Sequence, residues 1–281
     1  MEEPVSPSPA RAVSQWSGPA REQAVQRMFT AIARWYDLNN SLLSFGLHHR
    51  WKRSAADYAT APFAGACGVH SGDSFITPFG QDLTAEEASG RAEPRYALDV
   101  GAGTADLALL LAARMGPRGM VVASDLNEAM LREGRRKIGR RTPAARIPCL
   151  LINAEHLSFP DASFDAVTAG FCIRNVGDRA QAFAEIHRVL KPGGRFVCLE
   201  FSRPERAWLR SLYDWYSFSL LPRLGTLVAR DKTGVYEYLP ASIRTFPDQE
   251  GLKGLLLETG FSRVDYHNLT GGIVAIHVAT K

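Results

Sequence analysis

The spacing of apolar residues divides this chain into stretches of different character. From Ala24 onward, Val25, Met28, Phe29, Ile32, Ala33 and Tyr36 recur at the intervals that place them on one face of a helix. A second helix is predicted over about 48–58. Beyond Arg95, strand-like and helix-like segments alternate. Apolar runs predict buried strands at 96–100, 119–124, 149–152, 164–169 and 195–200, with helices at about 105–115, 128–139 and 180–190 between them. Lys191-Pro192-Gly193-Gly194 reads as the turn leading into the fifth strand. Such alternation implies parallel crossovers in a sheet covered on both faces. The rhythm then changes. A helix at about 248–259 is followed by strands at 263–269 and 273–279, joined at Thr270-Gly271-Gly272 as an antiparallel hairpin.

Two stretches lack periodicity. Residues 1–20, rich in Pro, Ser and Ala, read as a mobile tail. Residues 61–94 carry turn-forming residues throughout and read as a loop insertion in what is otherwise one domain over 21–281. His70 and Asp73 within it have the chemistry of metal ligands, but no further ligand clusters with them, so no metal is expected.

Composition narrows the class more than the partner. At 281 residues and 46% hydrophobic, the chain can bury a full core, which excludes a disordered chain and a disulfide-stapled mini-protein. The balance of 33 Lys and Arg against 29 Asp and Glu leaves +4, too small an excess for a dedicated nucleic-acid binder. Cys67, Cys149, Cys172 and Cys198 stand singly, so neither a zinc site nor a disulfide framework is expected and the compartment should be reducing. The first residues hold two acids and no apolar run, unlike a secretory or transit signal. No stretch approaches the roughly 20 apolar residues of a membrane span. A cytoplasmic protein is expected.

Candidate chemistry begins where the first predicted strand becomes a helix, at Leu98-Asp-Val-Gly101-Ala-Gly103-Thr104-Ala-Asp106. Gly101 and Gly103 permit a sharp turn and a close approach of the backbone to a ligand. Position 106 is Asp where the nicotinamide-binding fingerprint has its third glycine. Two acids, Asp99 and Asp106, beside a helix N-terminus would repel a pyrophosphate, so a cationic or zwitterionic ligand is expected. Asp125 ends the second strand about 20 residues on, the distance at which an acid reaches ribose hydroxyls. Asn153 and Ala154 end the third, where a polar side chain and a backbone N–H can hold an adenine edge. Singly, Asp99 reads as a surface acid, Asp125 as a helix cap and the glycines as a tight turn. Their joint placement at successive strand ends favours a nucleoside carrying a sulfonium and an amino acid, which is S-adenosylmethionine.

Two longer segments carry a family resemblance. Tyr36-Asp-Leu-Asn-Asn-Ser-Leu-Leu-Ser-Phe-Gly-Leu-His-His-Arg-Trp51 and Arg188-Val-Leu-Lys-Pro-Gly-Gly-Arg-Phe-Val-Cys-Leu-Glu-Phe-Ser202 resemble the two signatures of the UbiE/COQ5 family of quinone C-methyltransferases. Stretches 170–176, 242–249 and 268–275 are similar to other family segments. The resemblance implies an α/β, Rossmann-like class I methyltransferase fold: a seven-stranded mixed sheet, helices on both faces, the last strand antiparallel. It implies S-adenosylmethionine as methyl donor and a demethylated isoprenoid quinol as acceptor, methylated on a ring carbon. Gly170, where the family often has Ser, looks more like the menaquinone branch. Donor contacts are implied at Thr104, Asp125, Asn153 and Ala154, beside Asp99, Gly101 and Gly103. The catalytic pair is implied at Arg174 and Asn175, and helices over about 24–60 form a lid carrying Tyr36 and His48. Ala105 replaces a usual Gly and Asn39 a usual Met, and the 61–94 insertion is not a general family feature.

Carbon methylation needs an electron-rich ring, so the reduced quinol is the expected substrate. Arg174, permanently protonated, is expected to stabilise a phenolate or orient a water, and Asn175 to position the ring hydroxyl. Their plainer reading is a pair capping the next helix. His48 has the pKa of a proton acceptor, although a lone His more often packs, and the general base stays open. Tyr36 is expected to line the pocket. Trp208, Leu212, Trp215, Tyr216, Leu220 and Leu221, with Phe218, read first as core and second as a surface for transient, peripheral membrane contact. A homodimer stays open, as does the ring type. The competing functions are methylation of another phenolic small molecule and a non-catalytic donor-binding module.

Overall fold

Among the described residues, three α-helices precede the sheet: α1 (Gly18–Ile32), α2 (Tyr36–Leu43) and α3 (Leu47–Thr60). The sheet's strands are β1 (Tyr96–Val100), β2 (Met120–Asp125), β3 (Cys149–Leu151), β4 (Phe164–Gly170), β5 (Leu190–Phe201), β6 (Arg263–Leu269) and β7 (Val274–Thr280). The structure is a computed structural model that describes residues 18–61, 95–117, 119–141, 147–220 and 234–281. Most of the predicted tail, all of the predicted insertion past residue 61 (with His70, Asp73 and Cys67) and Leu221 lie outside the described residues.

The strands form one seven-stranded sheet in the order β3-β2-β1-β4-β5-β7-β6. β1 to β5 pair in parallel, whereas β7 lies antiparallel between β5 and β6. The mixed sheet and its closing hairpin follow the expected fold. Parallel neighbours need crossovers, and α4 (Asp106–Met115), α5 (Glu128–Arg141) and α6 (Arg179–Val189) supply three of them, while residues 152–163 carry the chain from β3 to β4 without a helix. Alternate residues of a strand face opposite ways, which builds two cores. Ala97 of β1 packs with Trp51, Ala55, Leu107 and Leu111 under α3 and α4. Leu98 and Val100 pack on the other face with Phe183 and Ile186 of α6 and with Leu252 and Leu256 of α9 (Gln249–Glu258). A third cluster joins Val25, Met28 and Ile32 of α1 to Tyr236 and Tyr238 of α8 (Val235–Thr245).

Several boundaries differ from expectation. α1 begins at Gly18 and takes in residues assigned to the tail. α4 starts at Asp106 because Ala105 before it is left-handed, with φ 63°. That conformation explains why glycine is usual there in the family the chain resembles. The expected turn at Lys191–Gly194 is part of β5, where Gly193, at φ 74°, and a register shift absorb it as an irregularity opposite Phe164 and Ala166. The core reading of the aromatic stripe is corrected. α7 (Ala207–Trp215) buries no residue, leaving Trp208 62%, Leu212 52% and Trp215 58% exposed.

Candidate active site

The carboxyl ends of β1, β2 and β4 open on a groove of about 120 Å³ lined by Gly101, Gly103, Asp125, Asn153, Ala154, Gly170 and Asn175. Gly101 and Gly103 hold φ values of 62° and 55°. A Cβ on Gly101 would come within 2.5 Å of the Cys172 Cβ, so this position has no room for a side chain. The Asp125 carboxylate is fixed at the strand end by the N–H groups of Gly103, at 2.8 Å, and Asn127, at 2.7 Å. Burial pushes its pKa up against those hydrogen bonds. Asn153 Oδ1 accepts the Glu155 N–H at 3.0 Å, which shapes the loop at the end of β3.

Asp99 and Thr104 sit behind this groove, not on its wall. Asp99 is 1% exposed and accepts the Thr168 hydroxyl at 2.8 Å, while its other oxygen has no partner. Burial pushes its carboxyl up to about 7, against Thr168 and Lys52. The Thr104 hydroxyl donates to Asp37 of α2 at 2.6 Å and accepts from Lys137 of α5 at 3.0 Å. Thr104 therefore ties the lid to the glycine loop. Asp106 is held by Lys52 at 2.9 Å and Lys137 at 2.6 Å. Burial opposes its charge, but the two lysines hold its carboxyl well below the ordinary range. Its neutralisation corrects the repulsion argument, which now rests on Asp99 and Asp125.

The residues present fit S-adenosylmethionine. A buried, half-satisfied carboxyl lies behind a loop that excludes side chains, and a second carboxylate is presented beside it. The groove is smaller than the roughly 300–1,000 Å³ usual for small-molecule sites because a helix roofs it. Glu22, Val25, Gln26 and Phe29 of α1 line it from above. Asn127 holds that roof through the Gln26 carbonyl at 3.0 Å and Thr30 at 2.9 Å. On the other side Arg21 donates to the carbonyl of Arg174 at 2.9 Å and that of Val176 at 3.3 Å.

A second cavity, of about 380 Å³, lies between α2, α3, α7 and α8 and is walled mainly by apolar side chains, among them Leu43, Leu47, Leu209, Tyr216 and Ile273. Phe29, Tyr36 and Phe171 border both cavities. They form the partition between the two cavities. Phe45, Leu212 and Trp215 line the larger cavity and are also exposed, so they edge its opening.

The polar residues of the larger cavity are few. Arg174 is 5% exposed and gives its Nη1 to both Glu200 oxygens, at 3.0 and 3.1 Å, and to the Phe171 carbonyl at 2.6 Å. Burial works against its charge, yet Glu200 holds the guanidinium above its ordinary pKa. That ion pair fixes Arg174 on the wall of the larger cavity. Asn175 lines the donor groove, where its Oδ1 accepts the Tyr238 hydroxyl at 3.0 Å. Tyr36 and His48 line the larger cavity, together with Asn39 and Lys52. Asn39 donates to the Tyr236 hydroxyl at 2.5 Å and keeps Oδ1 unpartnered.

Known proteins resemble this chain along nearly all of the described region. The ubiE/COQ5 methyltransferase family matches residues 18–71 and 79–281. The chain belongs to this family. It is 40% identical over 259 residues to the ubiquinone/menaquinone biosynthesis C-methyltransferase UbiE of Marinomonas sp. (strain MWYL1), covering 92% of this chain and 91% of that protein. It is 42% identical over 261 residues to the protein of the same name from Xanthomonas campestris pv. campestris, covering 93% and 91%. A SAM-dependent methyltransferase from Thermotoga maritima shares the fold, with a TM-score of 0.51 at 17% identity over 90% of this chain and 100% of that one. The protein is thus an S-adenosylmethionine-dependent methyltransferase. The family match omits only 72–78 of the stretch read as an insertion.

Reasoning from sequence missed Lys52, Glu200, Asp37 and Lys137. Glu200 lay inside a quoted signature and Lys52 one residue beyond another, but their partners are far away in the chain.

Proposed function

We propose that this methyltransferase transfers a methyl group to a ring carbon of a reduced, demethylated isoprenoid quinol, demethylmenaquinol in preference to the benzoquinol equivalent. The observation that carries this reading is the apolar cavity of about 380 Å³, which shares the Phe29, Tyr36 and Phe171 partition with the donor groove and opens between exposed apolar side chains. S-adenosylmethionine, when bound, supplies an electrophilic methyl on a cationic sulfur. The chain supplies orientation, water exclusion and proton handling. A buried acceptor left without a donor is costly. Asn39 Oδ1 and His48 Nε2 are two such acceptors among the cavity-wall residues. A quinol brings hydroxyl donors to them and a quinone brings none, which supports the reduced form. The names of the relatives support a quinone-pathway substrate, and Gly170 on the donor groove supports the naphthoquinol.

The same reading includes delivery from a bilayer surface. No described helix is long and apolar enough to cross a membrane. Trp35, Leu38, Leu42 and Phe45 before, along and after α2, with Trp208, Leu212 and Trp215 of α7, are exposed, and Phe45, Leu212 and Trp215 edge the cavity opening. Arg34, Arg206 and Arg210 are exposed on the same segments and match anionic headgroups in charge. A small phenolic acceptor would have no use for that rim.

The test is incubation of the purified protein with isotope-labelled donor and reduced demethylated naphthoquinol or benzoquinol. Label should appear as a ring methyl on the naphthoquinol. Donor binding with no transfer to either quinol would overturn the proposal.

A further inference from the structure

If a quinol is the acceptor, as the proposed function holds, its hydroxyl proton needs a destination, and the hydrogen bonds at the α2–α3 junction identify one. The Ser44 hydroxyl donates to the Asn40 carbonyl at 2.6 Å. Its single proton is thereby committed, so in the 2.9 Å contact between Ser44 Oγ and His48 Nδ1 the ring must be the donor. The same Oγ also accepts the His48 backbone N–H at 3.3 Å. A neutral imidazole protonated at Nδ1 carries its lone pair at Nε2. That nitrogen is enclosed and has no hydrogen-bond partner, and its residue, 3% exposed, belongs to the wall of the acceptor cavity.

We propose that His48 Nε2 is the general base that takes the quinol hydroxyl proton, with Ser44 as the positioning residue that fixes its tautomer. Lys52, one helical turn on and on the same wall, is paired with Asp106 at 2.9 Å, as Arg174 is with Glu200. The ring's surroundings suit the role. Burial, reinforced by Lys52 and His49 of α3, lowers its pKa to about 4, while Asp106 of α4 and Asp37 of α2 pull the other way. The ring is therefore neutral at pH 7 with its lone pair available. An oxyanion formed beside it would raise its proton affinity by ion pairing. Arg174 offers no comparable lone pair and is engaged by Glu200.

The step balances. The quinol O–H bond breaks and Nε2–H forms, and the electron pair left on oxygen is delocalised to the ortho ring carbon. That carbon bonds to the methyl as the methyl–sulfur bond breaks, the sulfur leaving as a neutral thioether with the electron pair. The ring, now a neutral dienone, loses its C–H proton to water and regains the O–H proton from His48. One proton is released overall.

Nitrogen-15 NMR of the full chain labelled at histidine, assigned with His48→Gln, should show His48 as the Nδ1–H tautomer at neutral pH. His48→Gln should lower kcat by about 100-fold or more with donor affinity unchanged. Added imidazole should restore part of the rate to His48→Ala. Ser44→Ala should release the tautomer in the same spectrum and lower kcat less. An imidazolium or an Nε2–H tautomer at neutral pH overturns the proposal. So does a His48→Gln enzyme that keeps pace with an active wild type, which leaves the substrate reading standing. A wild type that methylates no quinol overturns the substrate reading and this role with it.

Discussion

Burying Asp99 behind the glycine loop with one oxygen unpartnered destabilises the empty protein, and the cost depends on pH. Burial raises its pKa to about 7. Between the ordinary Asp value and about 7, the folded state binds more protons than the unfolded one, so this group's contribution to stability falls as pH rises and levels off above that window. Asp99→Asn removes the term. Urea midpoints should therefore diverge between about pH 4 and 7, the variant becoming the more stable at the alkaline end, and parallel curves would show that burial is not felt. The variant should also bind S-adenosylmethionine more weakly, because the sulfonium loses a neighbouring anion. Arg174 raises a different problem. Arg174→Ala leaves Glu200 buried without its partner and should cost about 3–5 kcal/mol of stability in urea unfolding, much of it recovered when Glu200→Gln is added. Only the double variant then reads the chemistry of the site. Gly101, Gly103, Asp125 and Asn153 were legible in the sequence because a backbone turn at a strand end fixes where each one goes. The Arg174–Glu200 pair and the lysines holding Asp106 were not, since pairing across the fold leaves no local spacing to read.

At the scale of elements, the roof over the donor groove is expected to move as a full nucleoside and amino acid enter. α1 is clamped by Arg21 on one side and by Asn127 on the other. Asn127 also caps α5, its Oδ1 accepting the Met130 N–H at 3.1 Å, so Arg21 is the cleaner probe. Arg21→Ala should speed amide exchange across Gly18–Ile32 and raise the donor dissociation rate by about tenfold, the equivalent of one charge-assisted hydrogen bond. Unchanged exchange and release would mean that packing against α8 holds the roof. The helices and strands of the sheet were readable from period alone, since each buries a face at fixed intervals. α2, α7 and α8 were not. α7 buries nothing, so its apolar residues do not follow a core. Pro240 inside α8 also argues locally against a helix that tertiary contacts with α1 support.

The whole molecule carries its exposed apolar side chains unevenly. Two segments far apart in the chain hold most of those among the described residues, and they touch. The Tyr216 hydroxyl donates to the Leu43 carbonyl at 2.7 Å, and the Tyr216 and Phe45 rings lie 6.2 Å apart. A face assembled this way, at the opening of an apolar cavity and next to exposed arginines, is expected to sit on a bilayer. A lipid tail could then pass from membrane to cavity without crossing water. Trp35 and Trp208, at 54% and 62% exposure, lie on these two segments and line neither cavity. Replacing both with Ser should lower co-sedimentation with anionic vesicles by at least about tenfold, given the apolar area each ring can bury. KM for a long-tailed quinol in vesicles should rise with that loss. Turnover of a tail-less quinol in solution should not change, since neither ring touches the acceptor cavity or the donor groove. Undiminished vesicle binding would place the docking face elsewhere, whereas equal losses on both substrates would show that the two rings support the cavity itself.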